Sequence, residues 1–320
     1  MFNLNRLVDK LGLSTTEGLL RAVRTVAVAL IVTVVLFGGY YYWDRYVRIG
    51  DRSPLELSIE QLEHAVREDP ANPDLRVALA ERYLNAGQYE RALEQAQQVL
   101  EVYPENEGAL LVAGLACMRL DRPQEALEPL ETFVELRKGR PTAGGDLVLE
   151  TAYYYLGDAY LRLDRPTDAI EMLEAAITIN RTDADAFYLL GRAYQKIDDL
   201  ETALKCYLEA VRFVPDFAEA YAGMAEIYEA WGEPDYLAYA RGMQAFSARD
   251  YETARSYLEQ ATSALPDFPQ AFLGLALTYE QLGDLEAALE AAQRALELQP
   301  DDLAVQHTVG RIQTALGAQQ

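Results

Sequence analysis

The chain has 320 residues, half of them apolar, and a formal net charge of −23. That length holds two average domains or one long repeat array, and the apolar half is enough for a large core. So acidic a body repels phosphate backbones, which argues against a nucleic-acid partner. Its two cysteines (Cys117, Cys206) and two histidines (His64, His307) fit no metal-ligand spacing and read as buried thiols and isolated rings.

The charge is uneven. Residues 1–52 carry seven basic and four acidic side chains, net +3, which leaves −26 on the remainder. Within residues 1–24, Leu4, Leu7, Val8 and Leu11 recur at helical spacing and give a short amphipathic segment, suited to a membrane surface or simply to a flanking helix. Ser14 and Glu17 have the spacing of a helix-starting capping box. Residues 25–43, "TVAVALIVTVVLFGGYYYW", contain no charge. Nineteen helical residues span roughly 28 Å, close to the ~30 Å hydrocarbon core of a bilayer. Tyr40, Tyr41, Tyr42 and Trp43 stand where a signal peptide would carry its small-residue cleavage site, and they suit the membrane–water interface. The expectation is one uncleaved, single-pass transmembrane helix followed by a linker at 44–54. Basic residues flank both sides in near-equal number. Keeping Arg6, Lys10, Arg21 and Arg24 in the cytoplasm avoids translocating a basic tail, so the large domain is expected on the extracytoplasmic side.

From residue 55 to 316 the apolar spacing is helical and repeats. Tyr153, Leu156, Gly157, Tyr160, Ala169 and Ala176 return 34 residues later as Phe187, Leu190, Gly191, Tyr194, Ala203 and Ala210. Further copies start at Pro73, Glu107, Ala218 and Pro269, and Cys117 stands at a position that is otherwise aromatic. Two spacings are irregular. Nine extra residues follow "KGRPTAGGD" (138–146), a tolerated insertion or a partner-binding loop. Near Trp231–Pro234 the period halves to 17, so that two first-type helices come in succession. "SIEQLEHAVREDP" (58–70) and "DLAVQHTVGRIQTAL" (302–316) read as end caps with soluble outer faces, and 317–320 is a tail.

This pattern resembles the tetratricopeptide (TPR) repeat family, whose period is 34. The resemblance implies an all-α, right-handed TPR solenoid of about seven repeats, preceded here by the membrane helix. Gly and Ala at the helix crossings let paired helices approach closely. No phosphate loop, nucleophile elbow or metalloprotease motif interrupts the array, so no enzyme activity, cofactor or metal is expected. Paired acids such as Asp198-Asp199 and Asp301-Asp302 fit helix caps.

The resemblance also implies a groove lined by the first helix of each repeat, which holds a protein segment. Carried onto this chain, the partner-binding groove residues are Tyr154, Tyr155, Arg162, Tyr188, Arg192 and Lys196 in the middle, with Gln195 among them. Further along they are Tyr239, Met243 and Phe246, with Tyr236, Leu273 and Leu277. Tyr153, Tyr160 and Tyr194 read as core. Arg162, Arg192 and Lys196 form a cationic island suited to an acidic or aromatic segment, or are paired internally with neighbours such as Asp158. The expected function is a membrane-tethered protein–protein interaction scaffold, an accessory subunit or assembly factor of a bacterial membrane protein complex. The alternative is a recognition module for soluble protein segments or envelope-pathway enzymes.

Overall fold

The structure is a computed structural model that describes residues 16–42 and 53–318; Ser14, Trp43 and the amphipathic segment at Leu4–Leu11 lie outside the described residues. The described residues form sixteen α-helices and one short 3-10 turn, without strands. They divide into two compact units, residues 1–75 and 76–320.

In the first unit, α1 (Thr16–Tyr42) is 27 residues long. Within it, Val23–Tyr41 has a mean hydropathy of 2.0 and is not covered by other protein. Length and composition there meet the requirement of a membrane span, and a signal sequence meets it too. Helix α2 (Pro54–Glu68) starts on a reciprocal capping box: Ser53 Oγ accepts from Glu56 N at 3.2 Å, and Glu56 Oε2 accepts from Ser53 N at 2.7 Å.

The second unit is a succession of helices of 12 to 16 residues. They are α3 (Pro73–Asn85), α4 (Tyr89–Leu100), α5 (Glu107–Arg119), α6 (Pro123–Arg137), α7 (Leu147–Arg162), α8 (Pro166–Ile179), α9 (Ala184–Lys196), α10 (Leu200–Phe213), α11 (Ala218–Trp231), α12 (Pro234–Ser247), α13 (Tyr251–Ala264), α14 (Pro269–Leu282), α15 (Leu285–Leu298) and α16 (Leu303–Gly317). From α5 onward each helix packs on the next, and first helices also touch the first helices of adjacent repeats. Asn106, Asp146, Asp183, Asp199, Asp250, Asp284 and Asp302 each accept a backbone N–H and start the next helix.

The small residues set the crossings. A Cβ added at Gly114 would lie 2.4 Å from Leu130, at Gly157 2.5 Å from Leu173, and at Gly191 2.6 Å from the Tyr207 ring. In each case a first-helix glycine receives a large side chain sixteen positions on, from its own second helix. The connecting turns share a second requirement. Gly87, Asp121, Asp164, Asp198, Gly232, Arg249 and Gly283 occupy one repeat position, and all have φ between 56° and 83°. Four of the seven are not glycine, so those turns are held in the left-handed region at a cost the array must offset.

The halved period has a structural counterpart. Helices α11 and α12 are joined by two residues, and α12 packs on both α11 and α13 while also reaching α14. A Cβ added at Gly242 of α12 would lie 2.7 Å from Leu258 of α13, as one at Gly157 would lie 2.5 Å from Leu173. Helix α12 therefore carries the contact face of a first helix and occupies the place where α11 would find its second helix. The insertion at 138–146 is exposed along most of its length yet tied down at both ends. Arg137 donates to Asp146 Oδ2 at 2.8 Å and to Glu107 Oε2 at 3.1 Å, and Arg140 also binds Glu107.

Candidate functional site

Two adjoining cavities lie on the first helices of consecutive repeats. One, of about 420 Å³, is lined from α5 by Met118 and Arg119 and from α7 by Glu150, Tyr154, Tyr155, Asp158 and Arg162. Asp183 and Asp185 close it at the start of α9. The other, of about 340 Å³, is lined by Tyr188, Arg192, Gln195 and Lys196 of α9, Tyr207 of α10, and Glu219, Gly223 and Glu226 of α11. Six of the nine groove residues expected from the sequence are thus brought together here.

Of the two readings open for the cationic island, internal pairing holds for two of its three members. Arg162 is held bidentately by Asp158, at 3.1 and 2.8 Å, and reaches Asp121 at 3.1 Å. Lys196 donates to Asp164 Oδ1 at 2.6 Å. Asp121 and Asp164 are two of the left-handed turn residues, and each receives the cation from the end of the next first helix. The cationic island is therefore largely a ladder between repeats, built of exposed pairs worth about 0–1 kcal/mol each. Arg192 is the exception: it is exposed and makes no ion pair among the described residues. Tyr188 lies half-buried against Tyr207 and Phe217, with ring centroids 6.0 and 5.2 Å away. Gln195 accepts from the Tyr207 hydroxyl at 2.7 Å and donates to Glu226 Oε2 at 2.7 Å, bridging α10 and α11.

Tyr153, Tyr154 and Tyr155 are all half-buried, so consecutive positions share partial cover rather than dividing into one core and one exposed ring. Tyr154 and Tyr155 meet edge-on at 5.1 Å, and the Tyr155 oxygen accepts from Arg119 at 2.9 Å. Tyr160 is buried as expected, whereas Tyr194 is half-buried with its hydroxyl bonded to Glu174 at 2.7 Å.

The distal part of the expected groove requires correction. Tyr239 and Met243 are each 5 % exposed and belong to the core. The cause is the double role of α12: clasped between α11, α13 and α14, it turns that face inward. A Cβ on Gly274 of α14 would come within 2.5 Å of Met243 Sδ. Phe246 is half-buried against Tyr251 at 5.6 Å.

The sequence reading missed the acidic wall of the first cavity. Glu150 is only 7 % exposed and shares the cavity with Asp183 and Asp185. Burial, together with the Asp183 carboxylate beside it, pushes the Glu150 carboxyl up to about 7 from an ordinary 4.5. Burial and Asp183 raise Asp185 as well. A glutamate whose folded pKa is raised holds its proton more tightly when folded, so stability falls as pH climbs from 4.5 through about 7. Glu150→Gln, which keeps the donor but cannot ionise, should leave the urea midpoint unchanged at pH 4.5 and raise it at pH 8. Equal effects at both pH values would contradict this. Cys117 and Cys206 are buried free thiols, and burial pushes them up to about 11 and about 12, so they are unreactive at neutral pH.

Antiparallel helix pairs locked by small-against-large contacts, with an open first-helix face, define a helical-repeat interaction module. Tetratricopeptide repeat models match residues 77–141 and 239–302, and a second such model matches 160–227; together they cover more than half of the chain, which belongs to the tetratricopeptide repeat family. Similar solved structures include MamA, at 26 % identity over 58 % of this chain and 97 % of that one, with a TM-score of 0.45. YrrB, described as a TPR protein with an unusual peptide-binding site, is 20 % identical over 78 % of this chain and 97 % of that one, at a TM-score of 0.43. A tetratricopeptide repeat protein from Parabacteroides merdae is 14 % identical over 86 % of this chain and 98 % of that one, at 0.47. No curated protein matches.

Proposed function

We propose that the chain is a membrane-tethered protein–protein interaction scaffold, an accessory subunit or assembly factor of a membrane protein complex, whose repeat domain lies outside the cytoplasm. TPR arrays are interaction modules, and α1 supplies a segment long and apolar enough for the tether. The groove is read as taking a protein segment at Tyr188 and Arg192. The observation that carries this is Arg192, an exposed guanidinium without an ion pair among the described residues, in a chain of net charge −23, beside a half-buried aromatic ring. Arginine and aromatic residues are the types that anchor interfaces, and a guanidinium recognises carboxylates bidentately.

The test is Arg192→Glu on the full chain, purified with its partners in mild detergent. Because Arg192 is exposed, the fold should be unaffected. The partner that co-purifies stoichiometrically with wild type should be lost, a hot-spot effect of about 2 kcal/mol or more. Unchanged capture sinks the groove assignment. Many substoichiometric partners, rather than one complex, would favour a module that recognises soluble segments.

A further inference from the structure

Most repeats carry a tyrosine four residues before the left-handed turn position, and two first helices lack it: α5 has Cys117 there and α12 has Ala245. Tyr160, Tyr194 and Tyr279 occupy the same position near the end of a first helix. Each reaches across to the second helix of the preceding repeat and donates its hydroxyl to a glutamate: Glu131 at 2.5 Å, Glu174 at 2.7 Å and Glu259 at 2.7 Å. In α5 this position is Cys117, and the residue that corresponds to the glutamate, twenty positions earlier on α4, is Gln97.

A cavity of about 530 Å³ opens there, lined by Leu93, Gln97 and Leu100 of α4 and by Leu110, Ala113 and Cys117 of α5, with α6 behind. A comparable opening in the last repeat is lined by α14 and α15 alone, with Tyr279 as a wall. Where the tyrosine is present it partitions the space. At Cys117, where it is lacking, the space runs through to α4 of the preceding repeat. The floor at Cys117 is 2 % exposed and uncharged, since burial and Glu125 keep the thiol protonated. Three carboxylates, Glu105, Glu125 and Glu128, stand among the lining residues.

We propose that this slot between α4, α5 and α6 receives an aromatic side chain, with a phenol at its tip, from a partner polypeptide whose flanking residues are basic. The same fold fills the equivalent slot with its own tyrosine three times, which fixes the shape and chemistry of the occupant. Leu93, Leu100, Leu110, Ala113 and Cys117 give the slot an apolar side for a ring, and a phenol taken in there requires a hydrogen-bond partner, which the Gln97 side-chain oxygen supplies. The acidic side chains complement cationic neighbours. The site is separate from the first-helix groove and does not depend on it.

The probes are p-cresol, for the ring alone, and a synthetic pentapeptide with tyrosine flanked by two lysines on each side. Both are titrated into the full chain in nanodiscs, with methyl-labelled leucine and alanine read by NMR. Wild type should show saturable shifts at Leu93, Leu100, Leu110 and Ala113. Cys117→Tyr, which restores the strut, should weaken both probes at least tenfold and raise the melting temperature. Glu125→Lys with Glu128→Lys should weaken the peptide at least tenfold but leave p-cresol unchanged. Absence of saturable shifts in wild type, shifts centred elsewhere, or equal binding by Cys117→Tyr would each overturn the proposal. If Cys117→Tyr does not fold, the location of the wild-type shifts and the glutamate variants decide. A dimer that Cys117→Tyr dissociates, without peptide binding in wild type, would replace the basic segment by a second copy of this chain and overturn the proposal as stated.

Discussion

Tyr207→Ala is expected to cost about 3–5 kcal/mol, the range for removing a large buried aromatic. Tyr207 is fully buried, and its ring is shared by two repeats: a Cβ on Gly191 of α9 would lie 2.6 Å from it, and one on Gly223 of α11 2.5 Å. Truncation empties a space on both sides and also leaves Gln195 without the hydroxyl it accepts from. Repeat arrays depart from two-state unfolding. The measurement is therefore native-state hydrogen exchange of amides in α9, α10 and α11, supported by urea unfolding of the full chain. A loss under about 1 kcal/mol would show that the ring is not the keystone of this junction. Tyr207→Leu should cost less, because Leu130, Leu173 and Leu258 fill the same place elsewhere. Gly191→Ala should cost about 1–3 kcal/mol by overpacking.

The second large effect concerns α1, proposed above as the tether. Nine Val, Leu, Ile and Phe side chains lie between residues 25 and 41. At about 0.3–0.6 kcal/mol each they would favour insertion by about 3–5 kcal/mol, and Arg24 stands at one end, from where a long cationic side chain can extend towards the interface of an inserted helix. On the proposed reading, carbonate extraction should leave the full chain in the membrane pellet with residues 25–43 retained. A chain starting at residue 53 should move to the soluble fraction with its helicity intact. Release of the full chain, or a mature N-terminus beyond Trp43, would identify α1 as a signal sequence instead.

The fold was legible because its determinants are local and periodic. Gly157 and Gly191 mark crossings at a 34-residue interval, and asparagine or aspartate caps mark seven of the helix starts. The halved period at Trp231 was legible for the same reason. The state of the groove was not. Pairing of the cations with neighbours such as Asp158 was one of the two readings open, and Arg162 has that pair; the partners that were not legible, Asp121 and Asp164, lie 41 and 32 residues away in the turns of the preceding repeats. Comparing the turn position of one repeat with the end of the next first helix would have revealed the ladder. Tyr239 and Met243 were misplaced because a position-by-position transfer assumes that every first helix has one partner layer, and α12 has two. Glu150 was invisible since its environment is created by Asp183 on the next repeat.

The junction at Trp231–Pro234 bears on how such a chain changes length. Repeats are counted in pairs, and losing a single helix from a strict two-layer array would strand every later face against the wrong neighbour. Here α12 meets α11 on one side and presents its Gly242 contact to Leu258 on the other. The block from α12 to α16 opens and closes with a first helix. The increment in which such an array can be lengthened or shortened is then one helix, about seventeen residues or half a repeat period, and a cut at the two-residue turn leaves a downstream block whose outer surfaces are both already of one kind.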